Sequence, residues 1–331
     1  MEKVLFLSRS QVQQTVTMSE AIDAVAGAYA DLAASRAILP LRTQVPVSRH
    51  NGISLLMPAY LEGVDGTGVK IVSVFPDNPG RGLPTIMAVV VLLSAETGQP
   101  LAIMEASYLT ALRTGAASGV ATRYLAKQDS RVLGVFGAGG QAATQVEAVA
   151  AVRPVERAVV FDCARDRAER FVREMEARLP GITFEPAAEP GDAVRQADVI
   201  VAATTSRTPV FSGELLKPGT HINGIGSFTP EMQEIGEDTL GRVAKIVVDS
   251  WEAAAEEAGD LIIPLRRGTL TKENIYAEIG EIVLQKKPGR EREDEITYFK
   301  SVGLAIQDVA VAALVYRRAR EKGIGTDLPL E

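Results

Sequence analysis

A glycine-rich turn gives this 331-residue sequence its plainest chemical signal. The stretch GVFGAGGQAATQ places Gly137, Gly139 and Ala142 in the spacing G-x-G-x-x-A, after a short apolar run and before a helical pattern from Gln141. The first glycine allows a tight turn, the second lets the backbone approach a pyrophosphate, and the alanine lets the helix lie close to the strand. The helix N-terminus would then present free N–H groups to the phosphates. The pattern predicts a dinucleotide site; the alternative is a glycine-rich turn in an α/β domain that binds no nucleotide.

A carboxylate follows the next apolar run at the spacing expected of a ribose ligand. Asp162 ends the stretch RAVVFD, roughly 20 residues past the turn, where dinucleotide-binding folds place an acid. A carboxylate there accepts hydrogen bonds from both ribose hydroxyls and repels a 2′-phosphate. We therefore predict NAD as the cofactor, and Arg165 nearby keeps NADP as the less favoured alternative.

A lysine within a run of β-branched residues is the second chemical signal. In GVKIVSVFPDN, residues 68–78, Val69, Ile71 and Val72 indicate a buried strand around Lys70. Burying a lone ammonium costs on the order of several kcal/mol. Lys70 either extends to solvent from a strand edge, which this stretch alone favours, or holds a partner.

The elements that must position these residues fall into two patterns. From Val132 onward, short apolar strands alternate with helices, which predicts a parallel, doubly wound α/β sheet. Before it, a helix with Ser19 as a candidate N-cap precedes strand-like segments without intervening helices, which indicates an antiparallel or mixed sheet. A long helix, ASYLTALRTGAASGVATRYLA, leads into the second pattern, and a final helix ending at Gly323 is expected to pack back on the first.

Composition excludes several classes of function. The net charge of −7 disfavours binding to nucleic acid. Two histidines far apart, His50 and His221, and the one cysteine, Cys163, argue against a zinc site, and no metal is expected. One cysteine forms no internal disulfide, which favours a reducing compartment. The longest apolar run, residues 86–93, is far shorter than the ~20 residues of a membrane helix, so we expect a soluble, cytoplasmic protein.

Long stretches of the chain resemble the ornithine cyclodeaminase/μ-crystallin family, which includes an archaeal type of alanine dehydrogenase and several ketimine reductases. The resemblance is strongest in HNGISLLMPAY, GVKIVSVFPDNPGRGLPT, ETGQPLAIMEASYLTALRTGAAS, GAGGQA, GIGSFTPEMQE and SVGLAIQD. It implies a Rossmann-type NAD-binding domain, residues 121–303, and an α+β domain formed by residues 1–120 with 304–331. That second domain would carry the substrate pocket and the interface of a homodimer.

The resemblance also implies what Lys70 holds. Members bind the α-carboxylate of an amino or imino acid with basic residues at the positions of Arg42, Lys70 and Arg113. An arginine can bind a carboxylate through two parallel hydrogen bonds, and a lysine adds a compact charge near the reacting carbon. Lys70 and Arg113 would be catalytic. Taken singly, Arg42 could be a surface strand residue and Arg113 an exposed helix residue.

Other family contacts transfer to positions spread along the chain. Thr85 is expected near the nicotinamide, Ser301 and Val302 at the cleft, and Phe228 beside the substrate; Thr85 and Ser301 could equally be ordinary strand or cap residues. The cofactor positions are Thr85, Arg113, Gly137, Gly139, Gly140, Gln141, Asp162, Thr204, Asn223, Gly224, Ile225 and Ser301.

Three departures argue against ornithine as the substrate. Ornithine cyclodeaminases carry an aspartate, a glutamate and a lysine where this chain has Phe228, Leu55 and Met232. A pocket without those acids leaves the second ammonium of a dibasic amino acid unpaired. If the alignment is displaced, Glu231 or Glu234 could supply the acid instead.

The sequence therefore predicts an NAD(H)-dependent oxidoreductase that interconverts a small apolar α-amino acid and its imino acid. Hydride would be delivered to the C=N carbon, as in a pyrroline-2-carboxylate reductase or an alanine dehydrogenase. The loss of the aspartate slightly favours a preformed imine. An ornithine cyclodeaminase with recycled NAD and a non-catalytic, crystallin-like binding protein remain as alternatives.

Overall fold

The computed structural model describes residues 3–330 and shows two compact units. One contains the chain up to Arg113 together with the residues from Leu304 onward, and the other runs from Thr114 to Gly303. The strands, in chain order, are β1 (Lys3–Leu7), β2 (Ala37–Ile38), β3 (Thr43–Val47), β4 (Gly52–Leu61), β5 (Gly66–Val74), β6 (Ile86–Ser94), β7 (Pro100–Glu105), β8 (Val132–Phe136), β9 (Arg157–Phe161), β10 (Thr183–Pro186), β11 (Val199–Ala202), β12 (His221–Gly224), β13 (Lys245–Val248), β14 (Ile275–Glu278), β15 (Thr297–Lys300) and β16 (Thr326–Pro329).

Helices connect and cover these strands. They are α1 (Arg9–Thr15), α2 (Met18–Ala33), α3 (Ala106–Leu125), α4 (Ala142–Val152), α5 (Arg165–Arg178), α6 (Pro190–Arg195), α7 (Glu237–Leu240), α8 (Trp251–Glu257), α9 (Gly259–Arg267), α10 (Ile279–Val283) and α11 (Ala305–Lys322). None of these helices of residues 3–330 is long and apolar enough to cross a membrane.

The first unit contains the predicted mixed sheet. Its order is β16-β1-β7-β6-β5-β4-β2, and β3 also pairs with β4. The β1–β7 pair is parallel, and the other pairs are antiparallel. In β5 the residues alternate, so that Gly66, Gly68 and Lys70 are buried on one face, and α11 packs on β4, β5 and β6.

A glycine lets α11 lie close to the centre of this sheet. A Cβ at Gly68 would lie 2.7 Å from the carbonyl oxygen of Val91 and 3.4 Å from Cγ2 of Val309 on the helix. The helix ends as predicted at Gly323, whose φ of 65° suits a left-handed cap. The prediction that this last helix returns to the N-terminal part of the chain is confirmed.

The start of α2 differs from the prediction. The N-cap is Thr17 rather than Ser19, and the helix begins at Met18. The Thr17 side chain accepts the N–H of Glu20, and the Glu20 carboxylate accepts the N–H of Thr17. This reciprocal capping box satisfies two backbone donors, which a cap at Ser19 would not do.

The second unit is the predicted doubly wound parallel sheet. Its order is β10-β9-β8-β11-β12-β15-β13-β14, and every pair is parallel. Its helix α5 buries Ala168, Phe171, Val172 and Met175. The strand order reverses between β8 and β11, and ligands of such sheets bind beyond the carboxyl ends of the strands at this point.

Candidate active site

Lys70 lies at the centre of the first sheet, where no solvent reaches it. Its strand β5 is flanked by β4 and β6, with Met57 and Val90 as its cross-strand neighbours, and its exposure is 2%. The explanation that Lys70 reaches solvent from a strand edge is therefore wrong. A buried ammonium in this position requires a counter-charge.

Asp308 on α11 supplies that charge and joins two of the predicted substrate ligands. Lys70 Nζ lies 2.8 Å from Asp308 Oδ2, and Arg113 Nε lies 3.1 Å from Asp308 Oδ1. All three side chains are almost fully buried. The structure thus brings Lys70 and Arg113 together across one carboxylate, although 195 residues separate Arg113 from Asp308.

Asp308 is a residue of this cluster that the sequence motifs did not predict. The acid closes the stretch SVGLAIQD at the start of a helix whose first half is otherwise mostly apolar. A charge on the buried part of a helix was the available signal, since such a charge needs a partner.

A second layer holds the Arg113 guanidinium in place. Arg113 Nη1 donates to Gln307 Oε1 at 2.5 Å, and the backbone N–H of Leu304 donates to the same oxygen at 3.2 Å. The Gln307 amide in turn donates to the hydroxyl of Tyr29 on α2. Because these partners are buried, the arginine is preorganised before any substrate binds.

The charges in this cluster favour an anionic ligand. Arg42, in the segment between β2 and β3, is half-buried and close enough to act on Lys70 electrostatically. Burial lowers the pKa of Lys70 to about 8, with the positive charges of Arg113 and Arg42 acting in the same direction and Asp308 opposing them. Three cations around one carboxylate leave a surplus of positive charge, which the carboxylate of an organic acid would partly neutralise.

The glycine turn in the second unit has the geometry of a pyrophosphate site. Gly137 has a φ of 91°, and its Cβ would lie 2.8 Å from the carbonyl oxygen of Ala203. A Cβ at Gly139 or Gly140 would meet no protein atom within 4 Å. The fold thus requires glycine at the first position, whereas at the next two the missing side chains leave space for a phosphate.

Residues on either side of the turn fit a dinucleotide as well. Gln141 is the N-cap of α4, and its Oε1 is buried without a hydrogen-bond partner. The Asp162 carboxylate follows β9 and accepts the N–H groups of Ala138 and Ala164, each at 2.9 Å. Asp162 thereby fixes the turn at the carboxyl edge of the sheet, and its oxygens have lone pairs left for ribose hydroxyls.

The other predicted cofactor residues of this unit lie near the same sheet edge. The Asn223 side chain points into the core, where its amide donates to Thr122 Oγ1 at 3.0 Å and its oxygen lies 3.2 Å from His221 Nε2. The Ser301 hydroxyl donates to Asp249 at 2.8 Å. Any cofactor contact of Asn223 would therefore use its backbone atoms, as would a contact of Gly224, which has no side chain.

The roles predicted for Thr85, Phe228, Val302 and the two candidate glutamates stay predictions. Thr85 lies in the bend before β6, and its carbonyl accepts the N–H of Phe75 at 2.8 Å. In the second unit Phe228 is 42% exposed, whereas Val302 is 8% exposed. Glu231 is exposed. Glu234 is buried, and each of its carboxylate oxygens accepts hydrogen bonds from backbone N–H groups.

The comparisons with known proteins decide the family. The family model for the ornithine cyclodeaminase/mu-crystallin family matches residues 2–323. This chain belongs to that family. The resemblance inferred from the sequence motifs is confirmed, as is the Rossmann-type fold with a second domain.

Relatives that are named for an activity align with almost the full length of this chain. A Δ1-pyrroline-2-carboxylate reductase of Bacillus cereus is 41% identical over 98% of this chain and 99% of its own length. The Thermococcus litoralis Δ1-pyrroline-2-carboxylate reductase, solved with NADH and L-proline, is 44% identical over 98% of this chain and all of its own, with a TM-score of 0.94. An archaeal alanine dehydrogenase dimer with bound NAD is 40% identical over 99% of this chain and 100% of its own, with a TM-score of 0.92.

Proposed function

We propose that this protein is an NADH-dependent reductase of a small, apolar, cyclic α-imino acid, with a five-membered ring as the first candidate. The buried cluster of Lys70, Arg113 and Asp308 carries the proposal, because it places two preorganised cations where one organic carboxylate would balance them. The two relatives that reduce Δ1-pyrroline-2-carboxylate support the ring size.

Each residue of the cluster has a defined task. Arg113, fixed by Asp308 and Gln307 through Nε and Nη1, would bind the substrate carboxylate through its other donors, with Arg42 as a second ligand. An ammonium has three N–H groups, so Lys70 can keep its ion pair with Asp308 and still donate to the substrate. Lys70 would place a proton at the imine nitrogen, which makes the adjacent carbon a better hydride acceptor.

The glycine turn and Asp162 would hold the cofactor. Bound NADH supplies the hydride for the C=N carbon, and the reduced product is the secondary amino acid. The residues present fit this group: the space at Gly139 and Gly140 suits the pyrophosphate, and the carboxylate of Asp162 suits the ribose of NAD rather than the 2′-phosphate of NADP.

A substrate panel tests the proposal. NADH is supplied with the five-membered cyclic imino acid, with the six-membered one, and with pyruvate plus ammonia; NAD is supplied with ornithine. We expect the highest kcat/KM with the five-membered ring. Ammonia release from ornithine without net NADH formation would identify a cyclodeaminase, and no turnover in any arm would identify a binding protein; either result overturns the proposal.

Alanine dehydrogenase is the second candidate, since the archaeal enzyme is 40% identical. The pyruvate and ammonia arm of the panel separates the two candidates directly. The proposed imine reductase needs no site for free ammonia, and we therefore expect that arm to be the slower one. A higher kcat/KM with pyruvate and ammonia would reverse the assignment.

We further propose a homodimer in a reducing, cytoplasmic compartment. One face of the first sheet carries the half-buried apolar row Leu56, Ile71 and Val89, and the archaeal relative is a dimer. Contiguous apolar surface of this kind is typical of protein interfaces. Cys163 is an exposed free thiol, which suits a compartment where thiols stay reduced.

A further inference from the structure

A buried glutamate in the second unit connects two loops at the carboxyl edge of the parallel sheet. Glu234 is fully buried. Its Oε1 accepts the N–H of Thr204, which follows β11, at 2.5 Å. Its Oε2 accepts the N–H groups of Gly226 at 2.6 Å and Ser227 at 3.1 Å, both after the neighbouring strand β12. One carboxylate thus fixes the loops that follow two adjacent strands.

The two loops approach each other so closely that only glycine fits between them. A Cβ at Gly226 would lie 2.0 Å from the carbonyl oxygen of Thr204 and 2.6 Å from Glu234 Oε1. The Thr204 hydroxyl accepts the N–H of Ser206 at 3.2 Å. The loop after β11 is therefore held by Glu234 through the backbone N–H of Thr204.

A second acid holds Glu234 itself. Asp260, at the start of α9, accepts the N–H groups of Glu234 at 2.6 Å and Ile235 at 3.0 Å through Oδ1. Its Oδ2 accepts Lys300 Nζ at 2.9 Å and the Tyr298 hydroxyl at 3.1 Å, both from β15. The charged and titratable groups that face Glu234 are thus Asp260 from α9 and Lys300 and Tyr298 from β15.

These surroundings bring the proton equilibrium of Glu234 into the neutral range. Burial raises its pKa to about 7, with Asp260 acting in the same direction, and Lys300 and the bonds from Thr204 opposing them. As a carboxylate it accepts from every donor around it. Once protonated, one oxygen becomes a donor and a poor acceptor, so the N–H groups of Thr204 or of Gly226 and Ser227 lose part of their partner.

We propose that Glu234 is a positioning residue that makes cofactor affinity depend on pH. Its ionised form holds the loops after β11 and β12 in the arrangement that binds NADH, and its protonated form releases them. The inference rests on the proposed function for one point only, namely that NADH binds at these loops, where Thr204 and Ile225 are predicted contacts.

Binding of NADH to the full-length protein tests this without any imino acid. The dissociation constant is measured by NADH fluorescence between pH 5.5 and 8.5 for the wild type and for Glu234→Gln. If the protonated form binds NADH about tenfold more weakly, one group with a pKa of about 7 makes the wild-type dissociation constant rise about fivefold from pH 8 to pH 6. Glu234→Gln keeps one acceptor oxygen but cannot ionise, so its affinity should be about tenfold weaker at pH 8 and independent of pH.

Two further variants make the measurement specific. Glu252→Gln makes the same chemical change at an exposed glutamate of the same unit and should reproduce the wild-type curve. Asp260→Asn removes the charge that opposes ionisation of Glu234, so the midpoint of the curve should move to lower pH.

Several outcomes would overturn the inference. These are a wild-type dissociation constant that is flat across this range, a Glu234→Gln curve that keeps the wild-type pH dependence, and a change in imino-acid KM at saturating NADH with unchanged NADH affinity. If Glu234→Gln does not fold, the wild-type curve decides. A protein that binds NADH but reduces none of the imines would refute the proposed function and leave this test intact.

Discussion

At the scale of single residues, the molecule places charges where water cannot reach them. Lys70 and Asp308 form an ion pair of 2.8 Å with both side chains 1% exposed. Such a pair costs desolvation energy that its own attraction barely offsets. An ion pair with a surplus of positive charge around it therefore suits a binding site better than it suits a purely structural core.

The pH dependence of imine reduction follows from the pKa of Lys70. Burial and two neighbouring cations lower this pKa to about 8, so the ammonium form, which can donate a proton, predominates below that pH and is lost above it. We expect kcat/KM for the imino acid to fall as the pH rises through about 8. Initial rates of NADH oxidation from pH 6 to pH 10 measure this.

Two substitutions test whether Lys70 causes the fall of kcat/KM above pH 8, the descending limb of the pH profile. Lys70→Ala should retain NADH binding while kcat falls about 100- to 10,000-fold. Lys70→Arg keeps its charge throughout the range, so its residual activity should show no fall near pH 8. A descending limb that persists in Lys70→Arg would assign it to another group and remove Lys70 from proton transfer.

The sequence allows prediction of some of these residues and not of others. Lys70 and Asp162 stand out because each breaks or ends an apolar run, and the structure places Lys70 beside Arg113. Asp308 could not be paired with Arg113, because that contact closes across 195 residues and leaves no local pattern. Glu234 could be named only as a candidate acid, since its partners are backbone N–H groups that no residue type reveals.

At the scale of elements, the alternation of strands and helices after Val132 predicted the parallel sheet, but not its full order. β15 lies between β12 and β13 in the sheet, although β14 and three α-helices separate it from β13 in the chain. Its four residues, Thr297–Lys300, are all buried and include a lysine, which hides the strand from a pattern based on apolar runs. The buried Asp260 is what allows Lys300 to occupy that position.

The close packing of α11 on the first sheet depends on Gly68. In Gly68→Ala the new methyl group would lie 2.7 Å from the Val91 carbonyl oxygen and contact Val309, so either the strands or the helix must shift. We expect a loss of about 1–3 kcal/mol in the free energy of unfolding, as for other overpacked sites. Urea unfolding followed by circular dichroism measures this loss.

Gly80→Ala is the matched control for that substitution, because a Cβ there meets no atom within 4 Å. It should change stability by less than about 0.5 kcal/mol. Since α11 carries Asp308, Gly68→Ala should also lower kcat for imine reduction. Equal stability of the two variants would show that the close approach at Gly68 is not required.

At the scale of the whole molecule, the first sheet uses its two faces differently. The face with Lys70 is covered by α11, whereas the opposite face presents the row Leu56, Ile71 and Val89, which remains half-buried. An uncovered apolar sheet face at the centre of a unit favours association with a second copy. The cluster of Lys70, Arg113 and Asp308 lies directly beneath this face, because Ile71 follows Lys70 in the same strand.

A charge on the uncovered face tests the homodimer. Ile71→Glu would bury a carboxylate in the interface, so we expect light scattering to show the mass of one chain where the wild type shows twice that mass. Leu328→Glu, on β16 at the edge of the same sheet and 43% exposed, should remain a dimer. A wild type with the mass of one chain would refute the homodimer, whereas an Ile71→Glu variant that stays dimeric with native circular dichroism would place the interface elsewhere. Because Ile71 adjoins Lys70, loss of the dimer should also raise KM for the imino acid.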